Sequence, residues 1–550
     1  MTFKRLDDRL SVSPQPGLGD IARAAREGYR SIISNRPDGE EAGQPTAAAI
    51  RAEAERHGLA FAHIPIEPGK ATDADAMARA LDTLPGPVLA FCRSGARSTT
   101  LWALARAGRD DAATLVRRAS AAGHDIAALE PALRRRARPR GRTYDVVVVG
   151  GGAAGIATAA SVLKRDARVT IAIVDPARDH FYQPGWTMVG AGVFTAEQTR
   201  RDEAAVMPKG VEWFQAAATR FDPERNAVEL DDGGLLAYRV LVVAPGLRLA
   251  WEKIAGLAET LGRAGVTSNY RYDLAPYTFR LVRQLRQGRA LFSQPPMPIK
   301  CAGAPQKALY LSCDIWRDAG VLPAIDVEFH NAGAALFGVS AYVPALMAYV
   351  ERYGIDLRLQ SNLVAVDGDR RIATFERKTD GASERIELGF DMLHVVPPQV
   401  SHDVVATSSL AAPGGYVDVD EATLRHKRHR NVFALGDAAG TGNAKTAAAA
   451  RKQAPVVAVN VLAALDGKPP VADYDGYGSC PLTVERGRIV LAEFGYGGKL
   501  LPSFPAWLLD GTRPSRAAWW LKERVLPTLY WHAMLKGREP LARPHRIGAA

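Results

Sequence analysis

An apolar run, Tyr144–Val149, opens directly onto Gly150-x-Gly152-x-x-Gly155 and then an alanine-rich stretch. Few local patterns restrict a fold as tightly. The first glycine allows a sharp turn at a strand end, the second lets a pyrophosphate approach the main chain, and the third lets a helix close onto the strand. The phosphates then lie at a helix amino terminus, where free N–H groups and the helix dipole favour anions. Asp175, twenty residues past Gly155, ends a second apolar run, Ile171–Val174, and is placed to accept from a ribose hydroxyl. The spacing predicts a parallel α/β sheet that binds a dinucleotide. A membrane-spanning reading of Val146–Leu163 fails because the fingerprint interrupts it.

With 550 residues the chain exceeds one ordinary core, so several domains are expected. Residues 1–132 read as a small α/β domain. Helical runs (Ile21–Glu27, Ala47–His57, Asp75–Leu84) alternate there with short apolar strands (Ser31–Ser34, Ala60–His63, Val88–Phe91). Residues 133–142 form an arginine-rich linker. Residues 143–269 begin the dinucleotide fold, and 270–396 insert a second nucleotide-type fold with strands near Ala290–Phe292 and Ile325–Phe329. Residues 397–470 complete the first fold, and 471–550 form a separate carboxy-terminal region.

A chain using both FAD and NADH would carry two glycine fingerprints. Where the second belongs, the sequence reads Gln294–Pro305, a proline-rich loop bearing Cys301. That points away from nicotinamide and towards a reductant able to bond to sulfur. Leu241–Gly246 resembles the strand and turn closing the FAD domain of disulfide-reductase-like flavoproteins. Asn431–Asp437 resembles their late Gly-Asp motif, which bonds the ribityl or phosphate part of FAD. The cofactor-binding residues expected are therefore Gly150, Gly152, Gly155, Asp175, Gly246, Gly436 and Asp437.

His180–Pro184, Trp186, Val189–Gly192, Lys300–Lys307 (KCAGAPQK), Lys445–Ala448 (KTAA) and Tyr474–Leu482 keep a recognisable order and spacing. From about Tyr144 to about Leu535 the chain resembles the sulfide:quinone oxidoreductases of mitochondrial-like type. The resemblance adds Lys445 to the cofactor site. It implies that sulfide adds to an active-site cysteine disulfide, that electrons pass through FAD to ubiquinone, and that sulfur leaves on a thiol acceptor such as glutathione. Cys301 matches the KCAGAPQK cysteine. The family's second cysteine follows the late Gly-Asp motif, and here that position is Ala438. Two readings stay open: Cys301 works alone, carrying a persulfide or bonding to the flavin, or an external persulfide supplies sulfur already oxidised. Cys313, in an expected helix over Lys307–Trp316, and Cys480 read as packing residues.

Val88–Phe91 feeds Cys92-Arg93-Ser94-Gly95-Ala96-Arg97, with helix expected over Thr99–Arg106. A thiol in such a loop meets backbone N–H groups at a helix start, with Arg93 and Arg97 nearby. The Cys-x4-Arg loop is similar to that of rhodaneses, one residue shorter than in tyrosine phosphatases, and suits a persulfide. With Ser13–Pro16 and Asn35–Glu40, this domain resembles the phosphatase-like sulfur transferases. Cys92 would then carry sulfur; a phosphatase, with Asp38 as general acid or simple turn residue, is the alternative.

The formal charge of +11 is concentrated. Leu133–Arg142 holds six arginines without an acid, and the last fifty residues supply the rest of the excess. Such clustering favours a linker and a membrane-facing tail over nucleic acid. Four of the nine tryptophans, Trp507, Trp519, Trp520 and Trp531, lie among basic residues near the carboxy terminus, as suits a membrane interface. Pro514 and Pro527 keep the helices there too short to span; packing on the protein itself or in a homodimer is the alternative. Four scattered cysteines give neither a disulfide scaffold nor a zinc site, and the amino terminus lacks a signal-peptide core. The expectation is an α/β, two-Rossmann FAD flavoprotein with a sulfur-transferase domain, peripheral on the cytoplasmic face of a membrane. An NAD(P)H-dependent quinone or thiol reductase, or a phosphatase on a degenerate flavoprotein, is the competing reading.

Overall fold

The computed structural model describes residues 2–66, 73–107, 109–136, 143–379 and 382–548. They divide into two compact units: residues up to 143 with the short pieces 216–220 and 227–237, and the remainder.

In the first unit, β1 (Lys4–Arg5), β2 (Leu10–Ser13), β3 (Ser31–Ser34), β4 (Ala60–His63) and β5 (Val88–Phe91) form one sheet in the order β1-β2-β5-β3-β4. Only the β1–β2 pair is antiparallel. A central parallel strand is covered on both faces and must be apolar on both. β5 meets this with four buried residues. Its Val88 and Ala90 join the core formed by α3 (Ala74–Thr83) and α4 (Ala96–Arg106), through Met77, Leu101 and Trp102. Leu89 and Phe91 face Ile21 of α1 (Leu18–Arg26) and Ile50 of α2 (Ala47–Arg56). The next helices are α5 (Ala112–Ala121) and α6 (Glu130–Arg136). The expected linker thus begins inside α6, and its residues 137–142 lie outside those described.

In the second unit, β6 (Thr143–Val149) lies between β7 (Ile171–Val174) and the strand Leu235–Val243, which pairs in parallel with Val432–Ala434. The chain thus leaves the sheet and returns to it almost two hundred residues later. Val146, Val148, Ile171 and Ile173 are essentially without solvent contact. Each contributes about 1.5–3 kcal/mol on burial, against at most about 1 kcal/mol for an exposed ion pair. The sheet core, not surface charge, holds the fingerprint in place. Helix α7 (Ala153–Arg165) and the long helix Ala447–Leu465 pack through small side chains, which lets both backbones approach.

Five parallel strands make the inserted fold, in the order Val266–Thr267, Met392–His394, Gly288–Gln294, Ile325–Asn331, Asp356–Leu359. Strand Gly288–Gln294 runs through the Cys301 loop into the helix Ala304–Asp318, buried along most of its length. The antiparallel hairpin Gly478–Glu485/Arg488–Phe494 packs on that helix. No helix among the described residues is long and apolar enough to cross a membrane.

The four carboxy-terminal tryptophans do not act alike. Trp507 and Trp520 are 84% and 61% exposed. Trp531 instead packs against His180 and Tyr182, and the Trp519 indole N–H donates to Glu523. Trp531 is therefore no part of an interface belt, because aromatic packing buries it.

Candidate active site

Each fingerprint glycine has a different physical reason. Gly150 has φ +108°, and a Cβ there would lie 2.2 Å from the Ala244 carbonyl oxygen. A Cβ on Gly155 would lie 1.9 Å from the Gly150 oxygen. A Cβ on Gly152 would meet nothing within 4 Å. Gly150 and Gly155 close the turn; Gly152 faces open space at the start of α7.

That space belongs to a cavity of about 620 Å³. Gly152, Asp175, Gly246, Cys301, Gly436, Asp437 and Lys445 all line it, with Gly150 and Gly155 behind the wall. Asp175 accepts from the N–H groups of Gly151 (2.6 Å) and Ala177 (2.8 Å). Beside it stands Glu203, which the sequence reading missed. One Glu203 oxygen meets His180 Nδ1 at 3.1 Å; the other is buried and finds no partner among the described residues. Burial raises the Glu203 carboxyl, against the opposing pull of His180. An orphaned carboxylate oxygen next to Asp175 fits a ribose hydroxyl. The residues present therefore suit a dinucleotide: its phosphates at Gly152 and the α7 terminus, its sugar at Asp175 and Glu203.

At the other end, Gly436 (φ +66°) donates its N–H to Gln453 Oε1 at 2.8 Å. Burial raises the Asp437 carboxyl, opposed by Lys445 and Lys300. The Lys445 ammonium does not reach into open space. It donates to the carbonyls of Asp437 and Ala439, both at 2.9 Å, and its own carbonyl accepts from Cys301 N–H at 2.7 Å. Lys445 thus ties the late Gly-Asp turn to the thiol loop.

Cys301 has φ +49°, an uncommon conformation for a side-chain-bearing residue. The Tyr270 hydroxyl bridges the Lys300 and Cys301 carbonyls at 3.0 and 3.2 Å. Lys307 Nζ donates to the sulfur at 3.1 Å. Cys480 Sγ lies 3.7 Å from Cys301 Sγ. This corrects the expectation that no second thiol accompanies Cys301 and that Cys480 only packs: the Gly478–Glu485 strand runs against the start of the Cys301 helix. Cys313 is buried in that helix, its thiol pushed up by desolvation, as an inert core residue should be. The hydrogen bond from Cys480, then the Lys307 charge, holds the Cys301 thiol well below its ordinary value despite burial. The same contact pushes Cys480 up. Of the two sulfurs, Cys301 is the one that the Lys307 ammonium contacts directly, so negative charge is favoured on that side of the pair.

Removing the lysine charge tests this. An opposite charge at this range shifts a pKa by about 1–3 units. In reduced Lys307→Met protein, the pH midpoint for Cys301 alkylation is expected to rise by about that much; an unmoved midpoint would show that Lys307 does not activate the thiol.

In the other unit, the Cys92 sulfur accepts from Gly95 N–H at 3.2 Å. Gly95 (φ +92°) starts α4, and a Cβ there would lie 3.1 Å from His124 Nε2. Arg97 interacts with Cys92, but its guanidinium is held bidentately by Glu40, both bonds 2.7 Å. The Arg97 bond holds Glu40 down at about 2. Arg36 bonds both Glu40 and Glu41. Arg93 is 68% exposed, its nearest acid Glu41 at 3.8 Å. Asp38 accepts from Ala47 N–H at the start of α2, so it serves as a helix cap. Glu41 and His124 escaped the sequence reading because they sit outside the Cys-x4-Arg loop, and Glu40 entered it only as the last residue of the Asn35–Glu40 motif, without its ion pair to Arg97.

The first fold, its interrupting second fold and the shared cavity define a two-domain flavoprotein of the disulfide-reductase class. The pyridine nucleotide-disulphide oxidoreductase family matches residues 144–298. Sulfide:quinone oxidoreductase, mitochondrial, of Dictyostelium discoideum is 41% identical over 72% of this chain and 86% of its own. The chain belongs to the sulfide:quinone oxidoreductase family and is a flavin-dependent oxidoreductase. The solved sulfide:quinone oxidoreductase of Aquifex aeolicus shares the fold, with TM-score 0.61 and 20% identity over 72% of this chain and 92% of that one. Residues 2–109 match the phosphatase-like domain of beta-lactamase hydrolase-like proteins. The Xylella fastidiosa protein of that name is 44% identical over 19% of this chain and 25% of its own.

Proposed function

We propose that this chain oxidises sulfide, or the sulfur of a persulfide, with FAD as the resident flavin and a quinone as electron acceptor. The observation that carries this reading is the Cys301 sulfur, in contact with the Lys307 ammonium at 3.1 Å, on the wall of the cavity that Gly152 and Asp437 also line. A sulfur nucleophile occupies the place of a second nucleotide fingerprint. FAD, when bound, accepts two electrons and passes them on. The chain's own residues do the rest: Lys307 stabilises the thiolate, and Tyr270 and Lys445 fix its loop. Sulfide and a thiol acceptor such as glutathione together lose two electrons and two protons in forming one S–S bond. The quinone gains both.

Leu521, Val525, Leu526 and Leu529 give the cavity an apolar flank suited to an insoluble quinone. The exposed Trp507, Leu508 and Trp520 support peripheral attachment to a membrane, which this reading puts on the cytoplasmic face. In the first unit, Cys92 would carry a sulfane sulfur. Glu40 neutralises Arg97 and, with Glu41, opposes a phosphate dianion, which favours sulfur transfer over phosphatase activity.

Anaerobic titration of the holoenzyme tests the reading. Sulfide or glutathione persulfide should bleach the flavin absorbance at about one equivalent, and a soluble quinone should restore it; NADH should leave it unchanged. Rapid bleaching by NADH with none by sulfide would overturn the assignment.

A further inference from the structure

The hairpin Gly478–Glu485/Arg488–Phe494 has two faces. Cys480, Leu482, Val490 and Ala492 join the core around the Ala304–Asp318 helix, while Ser479, Pro481, Leu491 and Glu493 line the cavity. Glu493 is 5% exposed. A buried carboxyl on a wall shared with Leu521, Val525 and Leu526 is costly unless it is bonded. Its bonds form a path. Glu493 Oε1 accepts from Tyr477 Oη and from Ser503 Oγ, both at 2.5 Å, and Oε2 accepts from Ser503 N–H at 3.1 Å. Tyr477 is buried and lines the cavity, whereas Ser503 is exposed. The carboxyl therefore stands between a phenol on the cavity side and a hydroxyl on the solvent side. Tyr342 Oη donates to the Glu493 carbonyl and accepts from its N–H, both at 3.0 Å, which fixes the main chain at this point. Burial first, then Glu493, pushes the Tyr477 hydroxyl up, so the phenol holds its proton at rest.

We propose that Tyr477, Glu493 and Ser503 form the proton path to the quinone, with Tyr477 as donor at the cavity and Glu493 as relay. A quinone gains two electrons and two protons. The reduced flavin of the proposed function, on which this step rests, supplies both electrons with one proton, as hydride. The other proton comes along the path. The O–H bond of Tyr477 breaks as one forms at the quinone oxygen, Tyr477 takes a proton from Glu493, and Glu493 regains one from water at Ser503. That proton replaces the one that sulfur oxidation leaves in solvent. Proton supply to the quinone thus lies on the hairpin face opposite Cys480.

The test uses holoenzyme reduced anaerobically with one equivalent of dithionite and reoxidised in a stopped-flow cell. The oxidant is either ubiquinone-1 or ferricyanide, which takes electrons without protons. In Glu493→Gln and in Tyr477→Phe, reoxidation by ubiquinone-1 is expected to fall about a hundredfold, the scale of a lost proton donor, while ferricyanide reoxidation stays within about twofold of wild type. The double variant should lose no more than either single one, because both break one path. Glu493→Asp should recover part of the rate. Equal slowing with both oxidants would make these residues structural and overturn the proposal, as would wild-type ubiquinone-1 rates in either variant. Should Glu493→Gln fail to hold flavin, Tyr477→Phe, which removes only a hydroxyl, decides alone. Dithionite keeps the sulfur chemistry out of the measurement. Wild-type enzyme whose reduced flavin ubiquinone-1 leaves unoxidised would overturn the quinone reading itself, and the relay with it.

Discussion

In Cys301→Ser, sulfide-driven reduction of the flavin is expected to fall by at least about a thousandfold, with flavin content and thermal stability unchanged. The expected size follows from what is lost. Serine keeps the shape and tolerates the same backbone, but its hydroxyl stays protonated where the Lys307 ammonium, 3.1 Å away, favours the anionic form of the thiol. Removing a nucleophile costs this much or more in enzymes that depend on one. Stopped-flow absorbance of the oxidised flavin against sulfide concentration measures it. The decisive detail is the split: dithionite should still reduce the variant's flavin completely, which separates a lost sulfur relay from a damaged cofactor site. Wild-type rates in the variant would remove Cys301 from the reaction.

The second large effect lies at the fingerprint, and two neighbouring glycines should respond differently. Gly155→Ala drives a methyl group to within 1.9 Å of the Gly150 oxygen, a main-chain atom with nowhere to go. Overpacking of this kind costs about 1–3 kcal/mol, and spreading the turn weakens cofactor binding by up to about a hundredfold. Both the apoprotein melting temperature and the flavin-to-protein ratio after gel filtration should drop. Gly152→Ala meets no protein atom, so apoprotein stability should hold while flavin content falls, because the methyl group stands where the pyrophosphate must approach. Equal melting temperatures for both variants would contradict the close contact at Gly155.

Much of this architecture was legible in the sequence, for local reasons. Ser31–Ser34, Ala60–His63, Val88–Phe91 and Ile171–Val174 are strands over the residues their apolar runs mark. Helices were read late at their starts: Leu18 rather than Ile21, Ala96 rather than Thr99. The glycines before them, Gly17 and Gly95, begin the turn, while the apolar pattern emerges only a turn later. The fingerprint announced its cavity because strand, turn and helix are contiguous. Cys480 and Glu203 did not announce theirs. Cys480 meets Cys301 only through the packing of a distant hairpin on the Ala304–Asp318 helix, and Glu203 reaches Gly151 from a short separate helix. Pairings of that kind leave no periodicity to read.

The main chain at residues 300–301 is gripped from two sides, by a phenol on its carbonyls and by the Lys445 carbonyl on its amide. Little is left to move except the torsion about the Cα–Cβ bond of Cys301. Re-aiming the sulfur between Cys480 on the hairpin and the cavity it lines is therefore a matter of one bond rotation. Such a rotation is far quicker than the microsecond-to-millisecond excursions of a loop, so the hand-over adds no delay of its own to a catalytic cycle.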